Sequence, residues 1–168
     1  MDGLDDLVRR IARLEAESGV RRTFHKYLHG VDMGSADAVM SLFTPDAVVD
    51  ATNYPPGSGE DRHLVGYEAI RTLYEPVRAK ASRHHAANIS IAVSDDAQTA
   101  DVSSYFLTAV EWGMQGGLYE GTMVLDAGEW WITYWRISSQ WGWRFTDRGP
   151  APLGLTLDAG TLRGGWPA

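Results

Sequence analysis

Hydrophobic residues in the first part of the chain recur at the three- and four-residue spacing of an amphipathic helix. The first stripe contains Leu4, Leu7, Val8, Ile11 and Leu14. A second stripe, which follows Gly19, contains Val20, Phe24, Tyr27, Leu28 and Val31. Because glycine is a poor helix former, this interruption predicts either two successive helices or one kinked helix.

The segment after these stripes contains signals for helix ends, a loop and a further helix. Gly34 follows the second stripe, where a left-handed residue ends a helix, and Ser35 can cap a short helix. Residues 52–61 have no hydrophobic period and are rich in proline and glycine. They predict a loop of a length that is typical of segments covering a site. The next helical stripe begins at Tyr67 and is shortened or kinked near Pro76.

Beyond Ser82 the hydrophobic period changes from helical to two, which is the period of a half-buried strand. The pattern predicts strands at 89–94, 100–112, 118–126 and 131–143, after a short strand at 47–50. The turns between the later strands are predicted at 95–96, 116–117 and 127–128. In the last run, strict alternation predicts one shared face for Trp131, Thr133, Trp135, Ile137, Ser139, Trp141 and Trp143.

Three or four helices followed by long antiparallel strands predict an α+β architecture. A long antiparallel or mixed sheet must twist and curl. Helices at one end of it then predict a cone-shaped barrel around an apolar pocket. We expect one domain at residues 1–148 and an arm rich in glycine and proline at 149–168.

Composition and charge exclude several classes of function. The net charge of −7 argues against nucleic-acid binding, which normally requires a basic face. The absence of cysteine excludes disulfides and thiolate chemistry. We find no signal peptide and no apolar run long enough to span a membrane, so we expect a cytoplasmic protein.

Candidate chemistry lies in two places. His84 and His85 begin the first long strand, and the helix that ends at Asp32 supplies a carboxylate and Tyr27. Adjacent strand residues face opposite ways, so only one of the two histidines can face a pocket. Simple alternation groups His85 with the apolar residues at 89 and 91, but a bulge would reverse this assignment, so alternation leaves the choice open.

Four patches of sequence resemble the SnoaL-like branch of the NTF2-like superfamily over roughly residues 4–145. They are Tyr27–Asp32 with Leu42–Ala47, Gly66–Ile70, Arg83-His84 with Asn88, and Trp130–Ile132. The pattern is similar to the group that includes scytalone dehydratase, lindane dehydrochlorinase and bile-acid 7α-dehydratase.

This resemblance implies a pair of catalytic residues, Asp32 and His84, with Tyr27 as a third participant and Arg144 as a candidate on the last strand. One departure is clear, because residues 101–112 lack the second histidine of scytalone dehydratase. A reaction closely like that enzyme's is therefore disfavoured.

The chemistry of these groups predicts a lyase that needs no metal or cofactor. A neutral imidazole takes up a proton near pH 7, and a carboxylate on its other nitrogen fixes its tautomer and stabilises the imidazolium. General acid–base catalysis contributes about 10²–10⁴-fold, so the C–H bond must be activated by a carbonyl. We predict β-elimination of water, in which His84 takes the proton and Tyr27 or water protonates the departing hydroxyl.

The aromatic residues predict a flat, polycyclic or steroid-sized hydroxy carbonyl substrate. The candidate substrate-binding residues are Phe24, Tyr54, Phe106, Trp135 and Arg144.

Other functions remain open at this stage. The same groups suit a polyketide cyclase or an isomerase, and the fold also suits a non-catalytic module for ligand binding or assembly. Epoxide hydrolysis needs a second carboxylate, for which Asp50 is a weak candidate. His25 and His29 are spaced like metal ligands on a helix but lack a third ligand, so we interpret them as a solvated face. We expect a homo-oligomer, because an apolar outer sheet face requires a partner, and the family resemblance implies a trimer rather than a dimer.

Overall fold

The computed structural model describes residues 2–76, 82–111, 113–146 and 149–152. The helices are α1 (Asp2–Asp32), α2 (Ala36–Met40) and α3 (Tyr67–Tyr74). The strands are β1 (Phe43–Thr52), β2 (Arg62–Val65), β3 (Arg83–Val93), β4 (Thr99–Val110), β5 (Gly113–Asp126), β6 (Glu129–Thr146) and β7 (Gly149–Pro152). Predictions made for Val77, Trp112 and the arm beyond Pro152 fall outside the described residues.

One curved, unclosed sheet of mixed direction holds the strands in the order β2-β1-β6-β5-β4-β3. Strand β1 runs parallel to β6, and the other pairs are antiparallel. β7 pairs with the far end of β6, so the first residues of the predicted arm extend the sheet. The predicted α+β class is confirmed, and the domain boundary at residue 148 stays a prediction.

α1 is a single helix of 31 residues rather than two. Gly19 does not break it, because the glycine packs against the indole of Trp130 and leaves no room there for a side chain. The second apolar stripe is buried against the sheet, but the first is exposed, from Ile11 at 45% to Leu4 at 68%. The first stripe is therefore an apolar face of α1 that does not pack against the core of this chain.

The end of α1 follows the sequence prediction. Gly34 has a φ of 63°, and the backbone N–H of Ala38 donates to the hydroxyl of Ser35 at 3.2 Å. The left-handed glycine ends α1 and the serine begins α2. This turn fixes where the last residue of α1, Asp32, meets the sheet.

The turn predicted at 116–117 is wrong, because both glycines lie inside β5. Gly116 pairs with Trp141 and Gly117 with Ser139 on β6. A side chain at Gly116 would collide with the Trp141 ring, and one at Gly117 with the backbone of β6. These glycines therefore allow a close approach between neighbours rather than a change of direction.

The single face predicted for the last strand is also wrong. Met123 pairs with Ile132 and Thr122 with Tyr134, so Thr133 is an extra residue in β6. This bulge reverses the alternation. As a result Trp130 and Ile132 are buried with Trp135, whereas Trp131 is only half-buried.

The core lies between α1, α3 and the helix-facing side of the sheet. Its centre is a cluster of aromatic rings in which Tyr27 contacts Trp135 at 4.9 Å and Tyr119 at 5.9 Å between ring centroids. On the outer face of the sheet, Trp143 is 46% and Phe145 51% exposed. The expected homo-oligomer stays a prediction.

Candidate active site

A cavity of about 300 Å³ opens between the C-terminal half of α1, α3, the loop after β1 and the helix-facing side of the sheet. Helix residues that line it include Tyr27, Val31 and Tyr74, and the sheet contributes Phe106 and Ile137. This volume is at the small end of the range for ligand pockets. It suits a compound of two or three fused rings.

Pairing between strands arranges the cavity wall in rows of different polarity. In one row of the wall, His84 pairs with Thr108, which pairs with Gln115. We name these three residues the polar row. The neighbouring row, two residues along β4, contains Phe106, which pairs with Gly117. The wall therefore changes from polar to apolar between these two rows.

His84 faces the cavity and His85 does not. Asn88, with a φ of 55°, lies at a shift in register between Ala87 and Ser90. This bulge reverses the simple alternation, so His84 shares its face with Ala86 and Ile89. His85 is exposed on the outer face of the sheet. A residue with a left-handed backbone thus decides which imidazole lines the pocket.

His84 is held by Asp32 through both its ring and its backbone. The imidazole Nδ1 lies 2.6 Å from Asp32 Oδ1, and the backbone N–H donates to the two carboxylate oxygens at 3.0 and 3.2 Å. Both side chains are largely buried, with 12% of His84 and 17% of Asp32 exposed. Because an ionised carboxylate only accepts hydrogen bonds, Nδ1 carries the proton. In the neutral ring, Nε2 then keeps a free lone pair.

Two tyrosine hydroxyls meet at the helix side of the cavity. Tyr27 and Tyr74 are almost fully buried and their hydroxyl oxygens lie 3.2 Å apart. Burial raises the pKa of both phenols well above the usual value of 10.0. Both therefore stay neutral at physiological pH. One hydroxyl donates to the other, which leaves the second O–H free to donate into the cavity.

The loop after β1 covers one side of the cavity, as its length predicted. Tyr54, Pro55 and Pro56 line the cavity. The backbone N–H of Asn53 donates to Asp61 Oδ1 at 2.8 Å, which ties the two ends of the loop together. The guanidinium of Arg62 lies over the Tyr54 ring at 5.5 Å. These contacts hold Tyr54 in place beside the tyrosines of the helices.

A second aspartate–histidine pair lies on the outer face of the sheet. Asp50 Oδ1 is 2.7 Å from His63 Nδ1, and the Tyr134 hydroxyl donates to Asp50 Oδ2 at 2.9 Å. Partial burial raises the pKa of Asp50, but the hydrogen bonds from His63 and Tyr134 outweigh it and hold the pKa below 3.8. We call Asp50 and His63 the outer pair.

Within the described ranges, no three His, Cys, Asp or Glu side chains group closely enough to hold a metal ion. The helices in the same ranges include none with both the length and the apolar character of a membrane span.

The sequence profile of the SnoaL-like domain matches residues 12–136. The chain belongs to the SnoaL-like family. A search among curated proteins found no match. Many solved structures also match this SnoaL-like chain.

Three of these structures show the range of relatives that share the fold. A proposed scytalone dehydratase from Novosphingobium aromaticivorans is 21% identical with a TM-score of 0.69, over 86% of this chain and 97% of that one. A hexachlorocyclohexane dehydrochlorinase, LinA type 2, is 17% identical with a TM-score of 0.66, over 86% and 99%. An NTF2-like protein with a cystatin-like fold, also from N. aromaticivorans, is 17% identical with a TM-score of 0.65, over 83% and 91%. At these identities the comparison establishes the NTF2-like fold.

The SnoaL-like fold brings some of the predicted site residues together and leaves others apart. His84, Tyr27, Tyr54 and Phe106 line the cavity, and Asp32 contacts it through His84. Phe24 and Trp135 are fully buried in the core beneath the lining, with ring centroids 5.6 Å apart. Arg144 is exposed beyond the cavity, paired with Gly113 and Ala151. The roles of these residues stay predictions.

Sequence reasoning missed three residues of the SnoaL-like site: Tyr74, Thr108 and Gln115. Tyr74 lies in the helical stripe that begins at Tyr67, where its hydroxyl gave no separate signal. Alternation predicts the correct face of β4 for Thr108. Only its pairing with His84 shows that the residue lies beside the candidate base. The sequence predicts a turn immediately after Gln115 and therefore no strand position for this residue, whereas it lies inside β5.

Proposed function

We propose that this SnoaL-like protein is an acid–base lyase that eliminates water from a flat hydroxy carbonyl compound without a cofactor. The observation that carries the proposal is the hydrogen bond between Asp32 and His84 on the wall of a largely apolar cavity. A neutral imidazole in this setting has one nitrogen fixed by an acid and the other directed toward bound substrate. Such an arrangement suits a general base.

The proposed reaction begins with removal of a proton from the carbon next to the substrate carbonyl. Nε2 of His84 takes this proton, and the electron pair of the C–H bond becomes the new C=C bond. The C–O bond to the β-hydroxyl breaks, and His84 returns its proton to the departing oxygen. One water leaves, and the imidazole is neutral again after each turnover.

Tyr27 acts in this scheme as a hydrogen-bond donor rather than as a full acid. Because burial raises the pKa of the Tyr27 phenol, its transfer of a proton to a departing hydroxyl is unfavourable. A neutral phenol instead stabilises the carbonyl oxygen as that oxygen gains charge. Tyr74 supports this role through the contact between the two hydroxyls.

Asp32 orients and stabilises the imidazolium that forms during the reaction. The backbone N–H and the ring Nδ1 of His84 both donate to its carboxylate, which holds the imidazole in this orientation. The volume of the cavity favours two or three fused rings, at the small end of the substrates that we expect from the sequence.

A screen of cyclic β-hydroxy ketones tests the proposal. The absorbance of the conjugated enone should rise with wild-type protein, and mass spectrometry should show the loss of one water. His84→Ala should lower the rate of this signal by about 10²–10⁴-fold, while circular dichroism shows that the fold is retained. A rate within about tenfold of wild type in folded His84→Ala protein would contradict the mechanism. A product of unchanged mass would instead indicate isomerisation by the same groups.

A further inference from the structure

Two buried oxygen atoms in the cavity wall have no hydrogen-bond partner in the part of the chain that the structure describes. They are the hydroxyl oxygen of Thr108 and the side-chain amide oxygen of Gln115. Thr108 is only 1% exposed. Both residues line the cavity, and both belong to the polar row.

Leaving such groups unpaired is unfavourable, because a buried polar atom without a partner has lost its hydrogen bond to water and gained none in return. Two further buried polar atoms, in Thr44 and Trp135, also lack a partner among the described residues. Neither of those residues lines the cavity. Of these four atoms, the two in the polar row are therefore the ones that belong to residues lining the cavity, where a bound molecule can contact them.

The spacing of the polar row relates these atoms to the reacting carbon. Side chains directly opposite on neighbouring strands lie about 5 Å apart, so Thr108 is one such step from His84 and Gln115 is two steps, about 10 Å. One step is about the width of a six-membered ring. An oxygen on a ring whose acidic carbon faces His84 can thus reach Thr108 or Gln115.

The chemistry of the two side chains defines what they bind. A threonine hydroxyl both donates and accepts, and a glutamine amide offers one acceptor and two donors. Together they satisfy a hydroxyl or a second carbonyl oxygen. A halogen or an alkyl carbon would leave them unpaired, which a hydrogen-bonding site rejects strongly.

We propose that Thr108 and Gln115 form a subsite for a second oxygen of the substrate, which restricts the enzyme to polyoxygenated fused-ring ketones. The subsite deepens the proposed function and rests on it, because His84 defines the position of the reacting carbon. It distinguishes this chain's substrates from plain cyclic ketones and from halogenated hydrocarbons.

Binding of unreactive ligands tests the subsite separately from catalysis. The probes are 1-tetralone and its 5-, 6- and 7-hydroxy derivatives, which have no β-hydroxyl to eliminate. Isothermal titration calorimetry should show that wild-type protein binds at least one hydroxytetralone tenfold or more tightly than 1-tetralone. One added hydrogen bond to the polar row is sufficient for this ratio.

Conservative variants identify the groups responsible. Thr108→Val and Gln115→Met keep the side-chain volume and should each reduce the preference to below twofold, with the affinity for 1-tetralone within twofold of wild type. Thr108→Ser retains the hydroxyl and should restore the preference. Thr99→Val, at an exposed position on the same strand, is the matched control and should behave like wild type.

Several outcomes would overturn the subsite. Equal affinity for all four ligands, including no measurable binding, would do so. A preference that survives in both Thr108→Val and Gln115→Met would also overturn it. If one variant fails to fold, the other variant and Thr108→Ser decide the result. A preference for hydroxytetralones without turnover of any hydroxy ketone would retain the subsite and reject the lyase, whereas turnover without the preference would do the reverse.

Discussion

The protein contains two aspartate–histidine pairs with nearly the same geometry in very different surroundings. The Nδ1 to Oδ1 distance is 2.6 Å in the Asp32–His84 pair and 2.7 Å in the outer pair. The exposed fraction of the histidine is 12% in the first and 67% in the second. The first pair lies in a cavity wall and the second on the outer face of the sheet.

The difference shows that the pair itself does not define a catalytic site. In the outer pair, Asp50 and His63 are direct partners across β1 and β2, and Tyr134 on β6 donates to the same carboxylate. Contacts of this kind hold strands together, and water screens them. The Asp32–His84 pair instead lies beside apolar side chains, where charge interactions are stronger. The surroundings, not the distance, give an imidazole catalytic potential.

The largest expected effect separates the two histidines. His84→Ala should lower turnover of a responsive hydroxy ketone by about 10²–10⁴-fold, the usual contribution of general acid–base catalysis. His63→Ala is the matched control and should stay within twofold of wild type. Steady-state rates of the two variants measure the difference, and similar losses in both would remove the distinction drawn here.

The second-largest expected effect is a difference in kcat between variants of the two aspartates. In Asp32→Asn the new amide can donate to Nδ1, which moves the ring proton to Nε2 and blocks the base. We expect kcat to fall about 100-fold, within the range for acid–base catalysis, while Asp50→Asn leaves it unchanged. A full-rate Asp32→Asn enzyme would show that the carboxylate does not set the tautomer.

The two tyrosines that accompany the pairs should show a smaller contrast. Tyr27→Phe keeps the ring packing and removes one hydrogen bond to a charged oxygen, a change of about 1.5–3 kcal/mol, so kcat should fall about 10–100-fold. Tyr134→Phe removes the hydroxyl next to the outer pair and should leave kcat unaltered. Equal rates in wild type and Tyr27→Phe would assign Tyr27 to the core alone.

The smallest effect concerns stability and pH. Because the pKa of Asp50 is lowered in the folded protein, its ionised form stabilises the fold above the usual pKa of 3.8 and this contribution is lost as the pH falls through the lowered value. Asp50→Asn should therefore lower the free energy of unfolding by about 0.5–1 kcal/mol at pH 7. The difference should shrink as the pH falls below 3.8 and vanish once the pH lies below the lowered pKa.

Urea unfolding at several pH values measures this effect. Asp46→Asn, at an exposed position on the same strand, is the control and should show no such trend. A gap between wild type and Asp50→Asn that widens as the pH falls would contradict the assignment.

The parts of the fold that sequence predicted well depend on local signals. The end of α1 follows from the left-handed preference at Gly34 and the cap at Ser35, and the buried face of β4 follows from strict alternation. These signals are sufficient to predict that a helix ends near Asp32. The family resemblance then implies the pairing of Asp32 with His84, and it favours His84 over His85.

The parts that sequence missed depend on long-range packing. The bulges at Asn88, Thr133 and Gln140 each add one residue to a strand, and each reverses the side chains that follow it until the next bulge. The residues next to each bulge do not predict it, because pairing with the opposite strand determines where the bulge forms. Gly116 is a similar case, because the Trp141 ring on β6 leaves no room for a side chain at this position.

The backbone contact between Asp32 and residue 84 has a practical consequence. Because the peptide N–H at this position donates to both carboxylate oxygens, the acid keeps its docking point whichever side chain stands there. Truncating His84 leaves a vacant, ring-sized space beside an acid that is still anchored. Free imidazole added to the solution can enter this space, so chemical rescue of the truncated variant becomes a test of the proposed role of His84.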